Sequence, residues 1–145
     1  MDYEKLDAIA DAYIPLLAIL FLISVGYRFY SDRSQWWHNA SISFLLFCLI
    51  LISYIFMFAD NAMQIWSRFG LDYSTHTAIS LALVFVLCVL YPKRIMILAA
   101  TFVGYVALML YQKYHSIADI LTTSGIILTI TIPLHKKIIC VEAHA

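Results

Sequence analysis

A chain of 145 residues that is 63% hydrophobic and only 12% charged, with a mean hydropathy of +0.87, has too little polar surface to fold as one small water-soluble domain. Nine basic residues balance nine acidic ones, so the charge footprint of a nucleic-acid binder is missing and no nucleic-acid partner is expected. The composition points to an all-α integral membrane bundle, one domain over residues 1–145, with the lipid bilayer as solvent and no separate soluble module.

Five apolar runs are long enough to cross a bilayer at roughly 17 to 25 residues per span. They are Ala12 to Phe29, Ala40 to Ala59, Thr77 to Tyr91, Ile95 to Tyr111 and Ile117 to Leu134, the third being the shortest. Asp2, Glu4, Asp7 and Asp11 precede the first run where a secretory signal would carry basic residues, so that run is a true span. Tyr3, Leu6, Ala10 and Tyr13 recur near helical spacing. They predict either an N-terminal interfacial segment lying along the membrane surface or the start of the first span itself. Trp36-Trp37-His38 reads as an aromatic belt at a membrane interface. Gly26, Gly104 and Gly125 are mid-span residues of the kind that permits close helix packing. Cys48, Cys88 and Cys140 lack the spacing of a metal knuckle or redox pair and read as small apolar fillers. His135 and His144 flank Lys136-Lys137 in a basic tail suited to anionic headgroups.

Five spans put the two chain ends on opposite sides, with the N-terminus on the side of the second and fourth connections. That side carries Lys5, Arg68 and Lys113; the other carries Arg28, Arg33, Lys93, Arg94, Lys136 and Lys137. By the positive-inside rule the N-terminus faces the periplasm or lumen and the C-terminus the cytoplasm.

Both outward connections end in a polar cluster that opens an apolar run: Ser74-Thr75-His76-Thr77, and Tyr114-His115-Ser116-Ile117-Ala118-Asp119. An ionisable group entering a membrane span is costly unless it faces protein or water, so such clusters read as functional. The four-residue spacing of His115 and Asp119 predicts one helical face for both. A neutral imidazole can act as nucleophile, a nearby carboxylate can hold it in the reactive tautomer, and a second imidazole can protonate a leaving oxygen. Helix N-termini add free amides and a positive dipole end that attract phosphate.

The run Gly70-Leu71-Asp72-Tyr73-Ser74-Thr75-His76-Thr77 resembles the Ser-Gly-His motif of the type 2 phosphatidic acid phosphatases. It is more similar still to the Gly-Asp-Tyr-x-x-Ser-Gly-His-Thr motif of the sphingomyelin synthases in that superfamily. Tyr114 to Asp119 resembles their second motif, His-x-x-x-Asp, which the synthases write His-Tyr-Thr-Ile/Val-Asp. The resemblance implies that His115 attacks the phosphorus of a lipid phosphate or phosphodiester to give a phosphohistidine, with Asp119 orienting it. His76 would protonate the departing alcohol, and Tyr73, Ser74 and Thr75 would cradle the phosphate. The chain departs from the family at four points, one being the phosphatases' separate Lys-to-Arg-Pro motif, which is absent here and from which the sphingomyelin synthase branch departs too. Thr75 stands where the motif has glycine, and Met109 where the phosphatases carry an arginine before the second histidine. Five apolar runs against the family's usual six spans give the expectation that the first span is lacking. Lys113 and Arg68 are the outward-side cations that could substitute for that arginine, though lysine is a point charge and not a bidentate fork.

The resulting expectation is a membrane enzyme acting on phosphatidic acid, a prenyl phosphate or a phospholipid, with no cofactor and no metal, in which substitution of His115 or Asp119 removes turnover without disturbing folding. Three alternatives use the same residues or none of them: a metal held by His76, His115, Asp119 and water, a haem pair, and a catalytically inactive relative serving as a lipid-binding protein or membrane subunit. Sequence does not decide between hydrolysis and transfer, nor between a monomer and a homo-oligomer.

Overall fold

In a computed structural model that describes residues 3–142, with side chains from 6 to 138, the five apolar runs become five α-helices, and there is no strand among the described residues. They are α1 (Tyr3–Ser31), α2 (Trp36–Met63), α3 (Thr75–Leu90), α4 (Ile95–Tyr111) and α5 (Ile117–Glu142). Asp2 and His144 lie outside the described residues, as do the side chains of Tyr3, Glu4, Lys5 and Cys140. Four of the helices, α1, α2, α4 and α5, are long and apolar enough to span a membrane. The protein is therefore an all-α, multi-pass membrane bundle.

The shortest run is the centre of the bundle. α3 packs against each of the other four helices, and ten of its sixteen residues are buried. At 1.5 Å per residue it extends about 24 Å, less than the ~30 Å hydrocarbon core. Enclosure by neighbours makes full length unnecessary, because α3 presents little of its surface to lipid. Leu17, Phe21 and Val25 of α1, Ile42, Leu45 and Leu49 of α2, and Leu83, Val86, Leu87 and Leu90 of α3 form the main core. Outside it, Leu16, Leu22, Phe44, Phe47, Phe58 and Val103 are exposed, an apolar surface suited to a bilayer. Lipid tails are as apolar as leucine, so cohesion between helices comes from close packing and interhelical hydrogen bonds. The Tyr73 hydroxyl donates to the Ser53 carbonyl at 3.2 Å, Ser74 N–H donates to Thr123 Oγ1 at 3.2 Å, and Tyr13 and Thr101 hydroxyls meet at 3.2 Å.

The residues from Tyr3 to Ala12 do not form a helix separate from the first span. From Tyr3 onward they belong to α1, whose 29 residues run without interruption, and Leu6 and Ala10 are buried. Ala10 packs with Tyr105 and Met109 of α4, Tyr13 stacks on Tyr105 with ring centroids 4.3 Å apart, and the Tyr114 hydroxyl donates to Asp7. These contacts hold α1 beside α4. The three mid-span glycines also differ from expectation: a Cβ built on Gly26, Gly104 or Gly125 would meet nothing within 4 Å, so none of them marks a close helix contact among the described residues.

The long α2–α3 connection is pinned at both ends. α2 stops at Gln64, whose left-handed backbone (φ 50°) turns the chain, and the buried Asp60 carboxylate accepts the Trp66 N–H at 2.8 Å. A 3-10 turn at Ser67–Phe69 follows and ends on Gly70 at φ 68°, a conformation that favours glycine. Trp66 and Tyr73 then pack together against Phe56. At the opposite end of the bundle Arg28 donates to the Leu90 carbonyl and lies 5.4 Å from the Tyr91 ring centroid, Trp36 meets Phe29, and His135 packs edge-on to Phe85.

Candidate active site

Both polar clusters are helix N-caps. Ser74 is the N-cap of α3: its hydroxyl accepts the Thr77 N–H at 3.3 Å and pairs with the Thr77 hydroxyl at 2.8 Å. The amides of Thr75 and His76 lie one and two residues inside the helix, where no intrahelical acceptor exists. In the second cluster Ser116 precedes α5 and forms a reciprocal capping box with Asp119. Asp119 N–H donates to Ser116 Oγ at 3.2 Å, and Ser116 N–H donates to Asp119 Oδ2 at 2.7 Å.

That box corrects the helical-face expectation. α5 begins at Ile117, so His115 lies in the bend before the helix and the i, i+4 rule does not apply to it. The chain enters this bend through a Schellman-type end of α4. Tyr114 N–H donates to the Met109 carbonyl, Lys113 N–H donates to the Leu110 carbonyl, and Lys113 takes the left-handed position at φ 59°. Asp119 is 6% exposed, and its second oxygen, Oδ1, accepts the Asp72 N–H at 2.8 Å. Both carboxylate oxygens are thus held by backbone amides, one from its own helix start and one from the α2–α3 loop. Asp119 still lies within electrostatic reach of His115.

The carboxylate facing the His115 ring is that of Asp72, with Oδ2 3.5 Å from Nδ1. This is an ion-pair distance without hydrogen-bond geometry, and Nδ1 is buried with no hydrogen-bond partner. A shielded Nδ1 leaves Nε2 as the nitrogen that can do chemistry.

His76 and His115, from different connections, line one cavity of about 590 Å³ at the N-terminal end of the bundle. Thr75, Tyr73, Ile79, Tyr54 and Met57 complete its α2–α3 wall, and Asp11, Ile14 and Pro15 of α1 close the other side. Pro15 has no N–H, so the Asp11 carbonyl lacks its usual donor four residues on. Tyr73 is buried, and that burial pushes its phenol up to about 12. It is therefore a hydrogen-bond donor and not a base at ordinary pH.

Of the residues expected at the site, His76, His115, Thr75 and Tyr73 meet at the cavity. Ser74 is fully buried behind it as a cap, and Asp119 is committed to capping. Arg68 and Lys113 are exposed and do not line it. Met109, at the position of the family's arginine, is 3% exposed and packs between α1 and α4. Asp11 and Asp72 were not expected. Asp72 sits inside the quoted motif, but nothing local pairs it with His115. Among the described residues no three His, Cys, Asp or Glu side chains converge in a way that could hold a metal ion. Compared with protein-family models, curated proteins and solved structures, the chain matches none.

Proposed function

We propose that this protein is a membrane lipid phosphatase or phosphotransferase, similar to the type 2 phosphatidic acid phosphatases and nearest in motif to their sphingomyelin synthase branch. The observation that carries the reading is that His76 and His115 share one cavity, with Nδ1 of His115 shielded and its other nitrogen free for chemistry. A volume of about 590 Å³ suits a headgroup and its phosphate, within the roughly 300–1,000 Å³ of ordinary ligand pockets.

In the proposed reaction the Nε2 lone pair of His115 forms an N–P bond as the P–O bond to the lipid alcohol breaks. The departing oxygen takes a proton from the His76 imidazolium. Water or a second alcohol then gives its proton to His76 as its oxygen attacks phosphorus, the N–P bond breaks, and the electron pair returns to Nε2. The free amides at the start of α3 would receive the phosphate oxygens, with the helix dipole behind them. The positive-inside bias puts this chemistry at the outer leaflet.

A second reading has its own observation. Among the described side chains the cavity lining contains Asp11 and no lysine or arginine, which disfavours a dianionic phosphate and suits a catalytically inactive, lipid-binding relative. The discriminating experiment is turnover by detergent-purified wild-type and His115→Ala protein, with chelator present, on phosphatidic acid, a prenyl diphosphate and phosphodiester lipids, following every phosphorus product. The expected result is activity in the wild type that disappears in the variant, with an acid-labile phosphoryl adduct on the wild-type chain. Turnover retained by His115→Ala sinks the mechanism, and a wild type inert on the whole panel but binding lipid selects the second reading.

A further inference from the structure

We infer that Asp72, not Asp119, is the positioning residue for His115: its carboxylate holds the ring with the Nδ1 proton toward it and Nε2 bare toward the cavity. The inference rests on the phosphotransfer reading for its consequence in turnover, but its geometric content stands apart from any reaction.

Three observations converge on it. Asp72 Oδ2 lies 3.5 Å from His115 Nδ1, which is buried and has no hydrogen-bond partner, so no other acceptor competes for its proton. Both oxygens of Asp119, the carboxylate that sequence spacing nominates, already accept backbone amides at 2.7 and 2.8 Å. Asp119 acts on the imidazole through space only, since no hydrogen bond joins it to His115, whose Nδ1 faces Asp72 instead. Finally, one of those amides is that of Asp72 itself. Asp119 therefore clamps the α2–α3 loop onto the start of α5 and, through the backbone, sets where the Asp72 side chain hangs over His115.

The exposure of the pair is uneven and consistent with a device that tightens on use. His115 is 13% exposed and Asp72 70%. In the free protein water screens the Asp72 carboxylate, and the contact is long, as catalytic hydrogen bonds often are before substrate binds. A lipid headgroup filling the cavity would dry the His115 side of the contact, since His115 lines the cavity and Asp72 does not, and so strengthen the attraction. During the proposed reaction the Nδ1 proton stays on the ring: the lone pair that forms the N–P bond is that of Nε2, and the positive charge developing on the imidazole faces Asp72.

The test uses full-length protein with ¹⁵N-labelled histidine in micelles, with the His115 ring assigned by its loss in His115→Gln. Long-range ¹⁵N–¹H correlation reads which ring nitrogen carries the proton. Asp72→Ala leaves the backbone amide that donates to Asp119 in place, so the fold is retained; far-UV circular dichroism checks this, and Asp72→Glu, with room at an exposed position, is the restoring variant. The wild-type ring is expected as the Nδ1–H tautomer. Asp72→Ala should shift it toward Nε2–H and Asp72→Glu should bring it back. On a turned-over lipid, kcat should fall ten- to a hundredfold in Asp72→Ala with KM within about twofold, and recover in part with Glu. A ring tautomer unchanged by Asp72→Ala overturns the inference even if turnover is robust, and so does a wild-type ring already in the Nε2–H form. A tautomer that follows Asp72 in a protein without turnover supports the inference while the phosphotransfer reading fails.

Discussion

Replacing Asp119 by alanine removes a buried carboxylate that accepts two backbone hydrogen bonds, from Ser116 at 2.7 Å and from Asp72 at 2.8 Å. Hydrogen bonds to a charged acceptor contribute about 1.5–3 kcal/mol each. A negative charge in the first helical turn adds about 0.3–1 kcal/mol through the dipole. Both donors belong to exposed residues, so water can replace the lost acceptor, and the lower end of each range applies. The expected destabilisation is about 3 kcal/mol. Ser116→Ala, which removes only the 3.2 Å return bond to the Asp119 amide, should cost about 1 kcal/mol. The assay is reversible unfolding in mixed micelles with rising SDS fraction, followed by helical circular dichroism, with Ser116→Ala as the internal scale. An Asp119→Ala protein that unfolds at the wild-type midpoint would refute the clamp. If such a protein were also inactive, the carboxylate would be serving the imidazole directly, as the motif resemblance implies.

Two further substitutions test how the site is framed. Lys113 holds a left-handed backbone at the C-terminal end of α4, so Lys113→Gly should stabilise by about 0.5–1 kcal/mol in the same unfolding assay. Because Lys113 does not line the cavity, turnover should stay within about twofold; a loss of tenfold or more would restore it as a phosphate-binding cation. Met109→Ala should cost about 2 kcal/mol, since Met109 is buried against Ala10 and Tyr105, whereas Met109→Leu should cost less than about 1.5 kcal/mol. Equal, negligible effects of both would show that the α1–α4 seam is not packed around this side chain.

The helices were legible because their signals are local. Apolar run length sets how many spans there are, and α4 and α5 begin at Ile95 and Ile117, where the runs begin. Ser74 and Ser116 mark helix starts by a chemistry that depends only on the next three residues. The convergence of His76 and His115 on one cavity agrees with the expectation that both outward connections share one side. What it could not specify is which side of a helix start a residue falls on. His115 and Asp119 are four apart, yet the cap at Ser116 puts a bend between them, and spacing rules hold only within a continuous helix. Nor could the central position of α3 be read from an apolar run that resembles the others but is shorter, because enclosure is a property of neighbours.

By itself, then, the sequence determined the solvent, the number of helices and the end of the bundle that gathers the polar clusters, all from periodicity and hydropathy acting over a few turns. Only the tertiary structure decided which carboxylate meets which imidazole. The Asp60 anchor and the Gly70 turn carry Asp72 across to His115, and α1 leaning on α4 brings Asp11 to the cavity. Contacts between loops far apart in the chain depend on how helices pack, and packing energy is shared among many side chains, none of which records its partner in its own neighbourhood.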